Sequence, residues 1–150
     1  MGREYTLRRH DLLYPELSFR INGVLFDVFK QIGGGHKESY YQKAVAIGLK
    51  QQGIQFVERY YVPLQFDGVI VGKYFLDFLI EDVIILELKR DQFIPAHIIT
   101  QTRQYLVSPN LQLALIGCFT HKGVMIKRII NTNNHFVSSH VSHVRTYIHI

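Results

Sequence analysis

An α/β fold, one domain with a mixed β-sheet flanked by helices, is what this 150-residue sequence predicts, and three observations predict it. Near the start, apolar residues recur every three or four positions, the period of a helix buried on one side. In the middle, runs of β-branched and aromatic residues follow one another, as strands of a sheet do. A further helical stretch then precedes two more such runs. The resulting order, α-α-β-β-β-α-β-β, reads as a sheet with helices packed against it.

Residues 1–16 are polar and end at Pro15, an expected frayed lead-in to a domain spanning 17–130. From Leu17, the residues Ile21, Val24, Leu25, Val28, Phe29 and Ile32 form one helical stripe, which Gly33, Gly34 and Gly35 bring to a stop. A second helix is expected over 36–52, with Tyr41, Ala44, Val45, Gly48 and Leu49 turned inward and Gly53 ending it. Glu38 shares that inner stripe, three residues before Tyr41, whereas Lys37, Lys43 and Lys50 face water. An acid in a first helical turn also suits the helix dipole. Strand-like runs at 55–66 and 69–71 come next, and Pro63 restricts the first to an edge or a bulge because proline cannot donate to a ladder. The helix expected over 95–107 turns Ile98, Ile99, Thr102, Tyr105 and Leu106 inward and places Gln101 one turn before Tyr105. Strands at 111–119 and 124–130 flank a His121-Lys122-Gly123 turn.

The stretch 74–89 carries the chemistry. It reads as strands 74–80 and 83–89 around an acidic turn at Glu81-Asp82, yet Asp77 interrupts the first strand and Glu87 and Lys89 end the second. Charges in so apolar a segment are costly unless they are paired or bind an ion. Side chains alternate along a strand, so Glu87 and Lys89 share a face. A two-residue turn sets Asp77 opposite Leu86, on the other face from Glu87. A three-residue turn or a one-residue bulge sets Asp77 opposite Glu87 and gathers the charges. Gathered, two carboxylates and a lysine suit a divalent cation and a polarised water; taken alone, the pattern also describes a salt-bridged patch at a strand end.

Composition narrows the classes. With 47% hydrophobic and 19% charged residues the chain is globular. A net charge of +5 gives a mild attraction to polyanions, too weak to name nucleic acid by itself. The single cysteine, Cys118, excludes an internal disulfide and a cysteine zinc site, and its apolar surroundings make it a small core residue. No apolar run reaches membrane length and the N-terminus lacks a signal peptide's apolar core, so a cytoplasmic address with no membrane contact is expected. The tail 131–150, with His135, His140, His143 and His149, sustains no period and is expected as a loosely ordered extension.

Gly35-His-Lys-Glu38-Ser-Tyr-Tyr41 resembles the signature of the GxxExxY proteins, a branch of the PD-(D/E)xK nuclease superfamily. The resemblance runs over 17–130 and takes in Val57-Glu58-Arg59, Val62-Pro63-Leu64, the 74–77 segment and Glu87-Leu88-Lys89. It implies a restriction-endonuclease-like core in which Asp77 and Glu87 bind metal, Lys89 is catalytic and Glu38 is the acid contributed by the first core helix. Gln101 and Tyr105 match a Q-x-x-x-Y pattern that related nucleases carry on the following helix, which implies a substrate-positioning role. The implied cofactor is Mg²⁺ or Mn²⁺, the implied partner nucleic acid, DNA first, with room for a homodimer. The triple glycine and the histidine-rich tail depart from the family pattern without touching the four charged positions.

Phosphodiester hydrolysis fits these residue types. Hard carboxylate oxygens suit such cations, with the Leu88 carbonyl a further ligand, and a lysine offsets charge developing on phosphate. Lys37, Lys43, Arg90 and Arg103 are the candidate phosphate contacts. Two functions are therefore expected: a metal-dependent nuclease acting on DNA, or a non-cleaving nucleic-acid or protein interaction module on the same fold. A carboxylate-pair glycosidase fits less well, since its acids need no adjacent lysine and the chain has no tryptophan to serve as a sugar platform.

Overall fold

The structure, a computed structural model, describes residues 13–132 and 146–149; His135, His140 and His143 lie outside them. The elements in order are α1 (Pro15–Ile32), α2 (Glu38–Gln51), β1 (Phe56–Phe66), β2 (Val69–Ile80), β3 (Ile84–Arg90), α3 (Ala96–Tyr105), β4 (Leu113–Phe119), β5 (Val124–Ile130) and β6 (Thr146–His149). The strands form one sheet in the order β1-β2-β3-β4-β5-β6. All neighbours are antiparallel except β3 and β4, which run parallel, with α3 as the crossover such a pair requires.

The sheet divides the core in two. On one face Ile84, Leu86 and Leu88 meet Ile21, Val24 and Leu25 of α1 and Tyr41, Val45 and Leu49 of α2. On the other, Leu79, Ile85, Ala114 and Ile116 pack with Leu106 and with Ile98 and Tyr105 from α3. Residues 84–88 and all of β4 are buried, which explains why these central strands read as apolar runs without alternation.

Two expectations need revision. Segments 69–71 and 74–80 are one strand, because Gly72 and Lys73 keep their places opposite Leu64 and Pro63. Pro63 itself sits on β1, an edge strand, as its missing donor demands. In the tail, 146–149 forms β6 against β5. An open strand edge offers backbone partners to a segment whatever its hydrophobic period, so pairing there leaves no periodic trace in the sequence.

The α1–α2 loop accounts for the triple glycine. Gly33 and Gly35 adopt left-handed φ of 72° and 84°. Gly34 runs so close to the β4–β5 turn that a Cβ would stand 2.7 Å from the Thr120 carbonyl oxygen and 2.9 Å from His121 Cα. Tyr41 then locks the loop to the sheet. Its ring stacks on Phe119 at 4.0 Å between centroids, its hydroxyl donates to the Gly33 carbonyl at 2.7 Å, and the His36 N–H donates to that hydroxyl at 3.4 Å.

Candidate active site between two diverging strands

The turn after β2 holds three residues, Glu81, Asp82 and Val83, with the Val83 N–H donating to Ile80. Glu81 and Asp82 take left-handed φ of 49° and 60°. Of the two registers open to the sequence this is the one that pairs Ile80 with Ile84, Leu79 with Ile85 and Phe78 with Leu86, so Asp77 falls opposite Glu87.

There the ladder stops and the two acids replace it. The Asp77 N–H donates to Glu87 Oε1 at 2.9 Å, and the Leu88 N–H donates to Asp77 Oδ2 at 2.8 Å. Each carboxylate satisfies a main-chain donor that the parting strands would otherwise orphan. The opening is prepared on the far side of β2 as well. The β1–β2 register skips the Arg59/Asp77 position, and Arg59 has a left-handed φ of 51°. Burial changes faces at that point: Phe56, Phe78 and Ile80 belong to the α1/α2 side, whereas Tyr60, Val62, Tyr74 and Leu76 belong to the α3 side. Strict alternation would keep each set on one face. Asp77 therefore stands where the sheet surface reverses, within reach of both sides.

From the α2 side the Gln42 amide donates to Asp77 Oδ1 at 3.0 Å. Gln42 follows Glu38 by one helical turn, and that i, i+4 spacing is the signal by which the sequence could have revealed it. Glu38 opens α2, and its charge is felt at both Asp77 and Glu87. From the α3 side Tyr105 packs its ring 4.8 Å from that of Tyr74 and lies in the field of both acids. Gln101 is half-buried one turn earlier, and Lys89 is half-buried at the end of β3. Lys37, Lys43, Arg90 and Arg103 are all exposed. At the outlet of β3 and β4, a pocket of ≈160 Å³ is lined by Gly35, Arg90, Gln92, Thr120 and His121 among others.

Burial, then repulsion from Asp77, pushes the Glu87 carboxyl up to about 8, and only in part do the Asp77 N–H and Lys89 oppose it. Asp77 also rises through burial, against its hydrogen bond from Leu88. Burial and the nearby Glu87 raise the Tyr105 hydroxyl to about 12. Cys118 is a buried core residue as expected, and burial takes its thiol to about 11.

Of the four residues expected to converge, the structure holds Asp77 and Glu87 side by side through main-chain hydrogen bonds. Asp77 and Glu87 share one gap, and Glu38 and Lys89 reach it through their fields. Among the described residues no three His, Cys, Asp or Glu side chains already stand as a metal cage. The donor set still suits a hard cation: a buried and a half-buried carboxylate side by side repel each other when ionised, and a divalent ion would relieve that repulsion.

Residues 15–129 match the PD-(D/E)XK nuclease superfamily. The chain belongs to that superfamily. The match runs from the start of α1 into β5, so it embraces every element that shapes the gap, and it supports a nuclease-type function. Among solved structures, the crystal structure of SSO0001 is similar over 81% of this chain and 79% of that one, at 11% identity and a TM-score of 0.42. No curated protein matches significantly. No helix among the described residues is long and apolar enough to cross a membrane.

Proposed function

We propose that the protein is a metal-dependent nuclease of the GxxExxY type that hydrolyses phosphodiester bonds in DNA. One observation carries the reading: Asp77 and Glu87 are held side by side, largely out of water, where β2 and β3 part. Burying two like charges costs stability, and a cation-binding role gives the cost a purpose.

Asp77 and Glu87 would hold Mg²⁺ or Mn²⁺, with the Leu88 carbonyl and Glu38 as further oxygen donors. When bound, the cation supplies Lewis-acid and water-activating chemistry. The Lys89 ammonium orients the attacking water or offsets charge growing on the phosphate oxygens. Tyr105 stays protonated at working pH and so remains a hydrogen-bond donor towards substrate, with Gln101 beside it. Lys37, Lys43, Arg90 and Arg103 supply phosphate contacts around the rim.

The reading of a non-cleaving binding module draws support from Gln42, whose amide already donates to Asp77 Oδ1 and so competes for that carboxylate. The two readings part on one experiment. DNA and RNA, single-stranded and duplex, are incubated with the protein and Mg²⁺ or Mn²⁺, beside Glu87→Gln. The nuclease reading expects metal-dependent cleavage that collapses in the variant, while salt-sensitive DNA binding persists. Binding without cleavage in the wild type favours the module, and equal cleavage by the variant removes Glu87 from the reaction.

A further inference from the structure

Beyond the Arg59/Asp77 reversal, β1 and β2 extend as a two-stranded arm. Tyr60, Val62, Tyr74 and Leu76 of this arm pack on the α3 side, so the intervening Tyr61 and Phe75 face the α2 side. Asp77 accepts its hydrogen bond from Gln42 of α2 on that same side. Tyr61 and Phe75 are direct cross-strand partners, with rings 5.8 Å apart and 44% and 48% exposed. The Arg59 guanidinium lies 5.5 Å and the Lys73 ammonium 5.8 Å from the Phe75 centroid.

Their order along the arm is what matters. Arg59 lies level with Asp77, the aromatic pair comes two residues further out, and Lys73 two residues beyond that, opposite Pro63. Two residues of strand span about 6–7 Å. A cation, an exposed aromatic pair and a second cation therefore repeat in a line that starts at the acid. We propose that this face is a stacking platform for an unpaired strand of nucleic acid, which passes from the arm into the gap between β2 and β3.

The proposal rests on the nuclease reading for its ligand class and adds the form of the substrate. Lone exposed apolar residues are ordinary, but two aromatics directly opposite each other, flanked on one strand face by cations, match what unstacked bases and their phosphates need. Both cations stand near the outer limit of cation–π attraction, about 6 Å, so they remain available to phosphates on either side of a base held on Phe75. A duplex keeps its bases stacked on one another and offers such a platform little.

The test is a titration of the full chain in EDTA with fluorescein-labelled oligothymidylate and with a blunt duplex, using wild type, Phe75→Leu and Phe75→Trp. Phe75→Leu is expected to weaken oligothymidylate binding about tenfold or more while leaving duplex binding unchanged. Phe75→Trp is expected to keep the affinity, and its indole, alone in a chain without tryptophan, should lose emission as a base stacks on it. Unchanged oligothymidylate affinity in Phe75→Leu, or tighter binding of the duplex by wild type, overturns the platform. So does a loss of self-association in Phe75→Leu at unchanged affinity, which assigns the face to a second copy of the chain. Platform binding in a protein that cleaves nothing with Mg²⁺ or Mn²⁺ would instead defeat the nuclease reading alone.

Discussion

Asp77 and Glu87 each serve two ends: they close a gap in the sheet's hydrogen bonding, and they set two acids against each other out of water. The second end has a pH signature. The Glu87 carboxyl sits at about 8 in the folded chain against an ordinary 4.5, so folding favours its protonated form. Its contribution to stability is complete below about 4.5 and is lost as pH rises through about 8. Metal-free protein should melt at progressively lower temperature across that interval, and Glu87→Gln should flatten the dependence, as differential scanning fluorimetry in EDTA would show. Added Mn²⁺ should stabilise wild type more at the alkaline end, where the carboxylate is already ionised. The proposed function gives Lys89 and Asp77 different roles. Lys89→Ala should lower turnover about 10²- to 10³-fold while Mn²⁺ still binds, since a cation has been removed from beside the acids. Asp77→Ala should weaken Mn²⁺ itself. Calorimetric titration of the two folded variants checks the assignment, and loss of Mn²⁺ only in Lys89→Ala reverses it.

At the scale of elements, the loop between α1 and α2 aims Glu38 and Gln42. Gly35, Glu38 and Tyr41 divide the work: a left-handed turn, an acid at the helix start, and a buried ring that pins loop to sheet. Gly34 is held by close backbone contact, so Gly34→Ala must push the loop off the Thr120 carbonyl. We expect it to cost about 1–3 kcal/mol and to reduce activity by shifting the start of α2. Gly23 makes the opposite case. It lies exposed inside α1 with nothing within 4 Å of the Cβ position, and Gly23→Ala should stabilise by about 0.5–1 kcal/mol. Urea unfolding of both variants tests the pair, and the same sign in both would contradict the packing described. The helices, Pro63's place at an edge and the buried stripe of α2 were legible from periodicity and punctuation. The continuity of β2 was not, because Gly72 and Lys73 look like a break until the opposite strand is seen.

For the whole molecule, the sheet has one edge at β1 and the other at β6, which covers β5. Deleting 133–150 removes that cover. The shortened chain should associate more readily through the bared β5 edge, by static light scattering at matched concentration. An unchanged monomer–oligomer balance would show that β5 tolerates exposure. The arrangement also explains the directions of approach to the site. α2 and α3 lie on opposite faces of the sheet, yet Glu38 and Gln42 of α2 act on the acids and Tyr105 of α3 lies in their field, because the strands part between them.

Local pattern in the sequence was enough for the class of fold, the helices, most strands and the oddity of Asp77, Glu87 and Lys89 as charges in an apolar segment. Helical and strand periods depend on residues within a few positions of one another, and a buried charge declares itself against its immediate surroundings. Which face Asp77 serves was undecidable there, since a two-residue and a three-residue turn fit the same letters and place it on opposite sides. The third turn residue, the left-handed Arg59 opposite Asp77 and the reversal of burial across β1 and β2 arise from how the strands twist and part. The Gln42 contact, the β6 pairing and the nearness of Tyr105 likewise join residues far apart in the chain. Such contacts are selected by packing among distant segments, and packing has no local period to read.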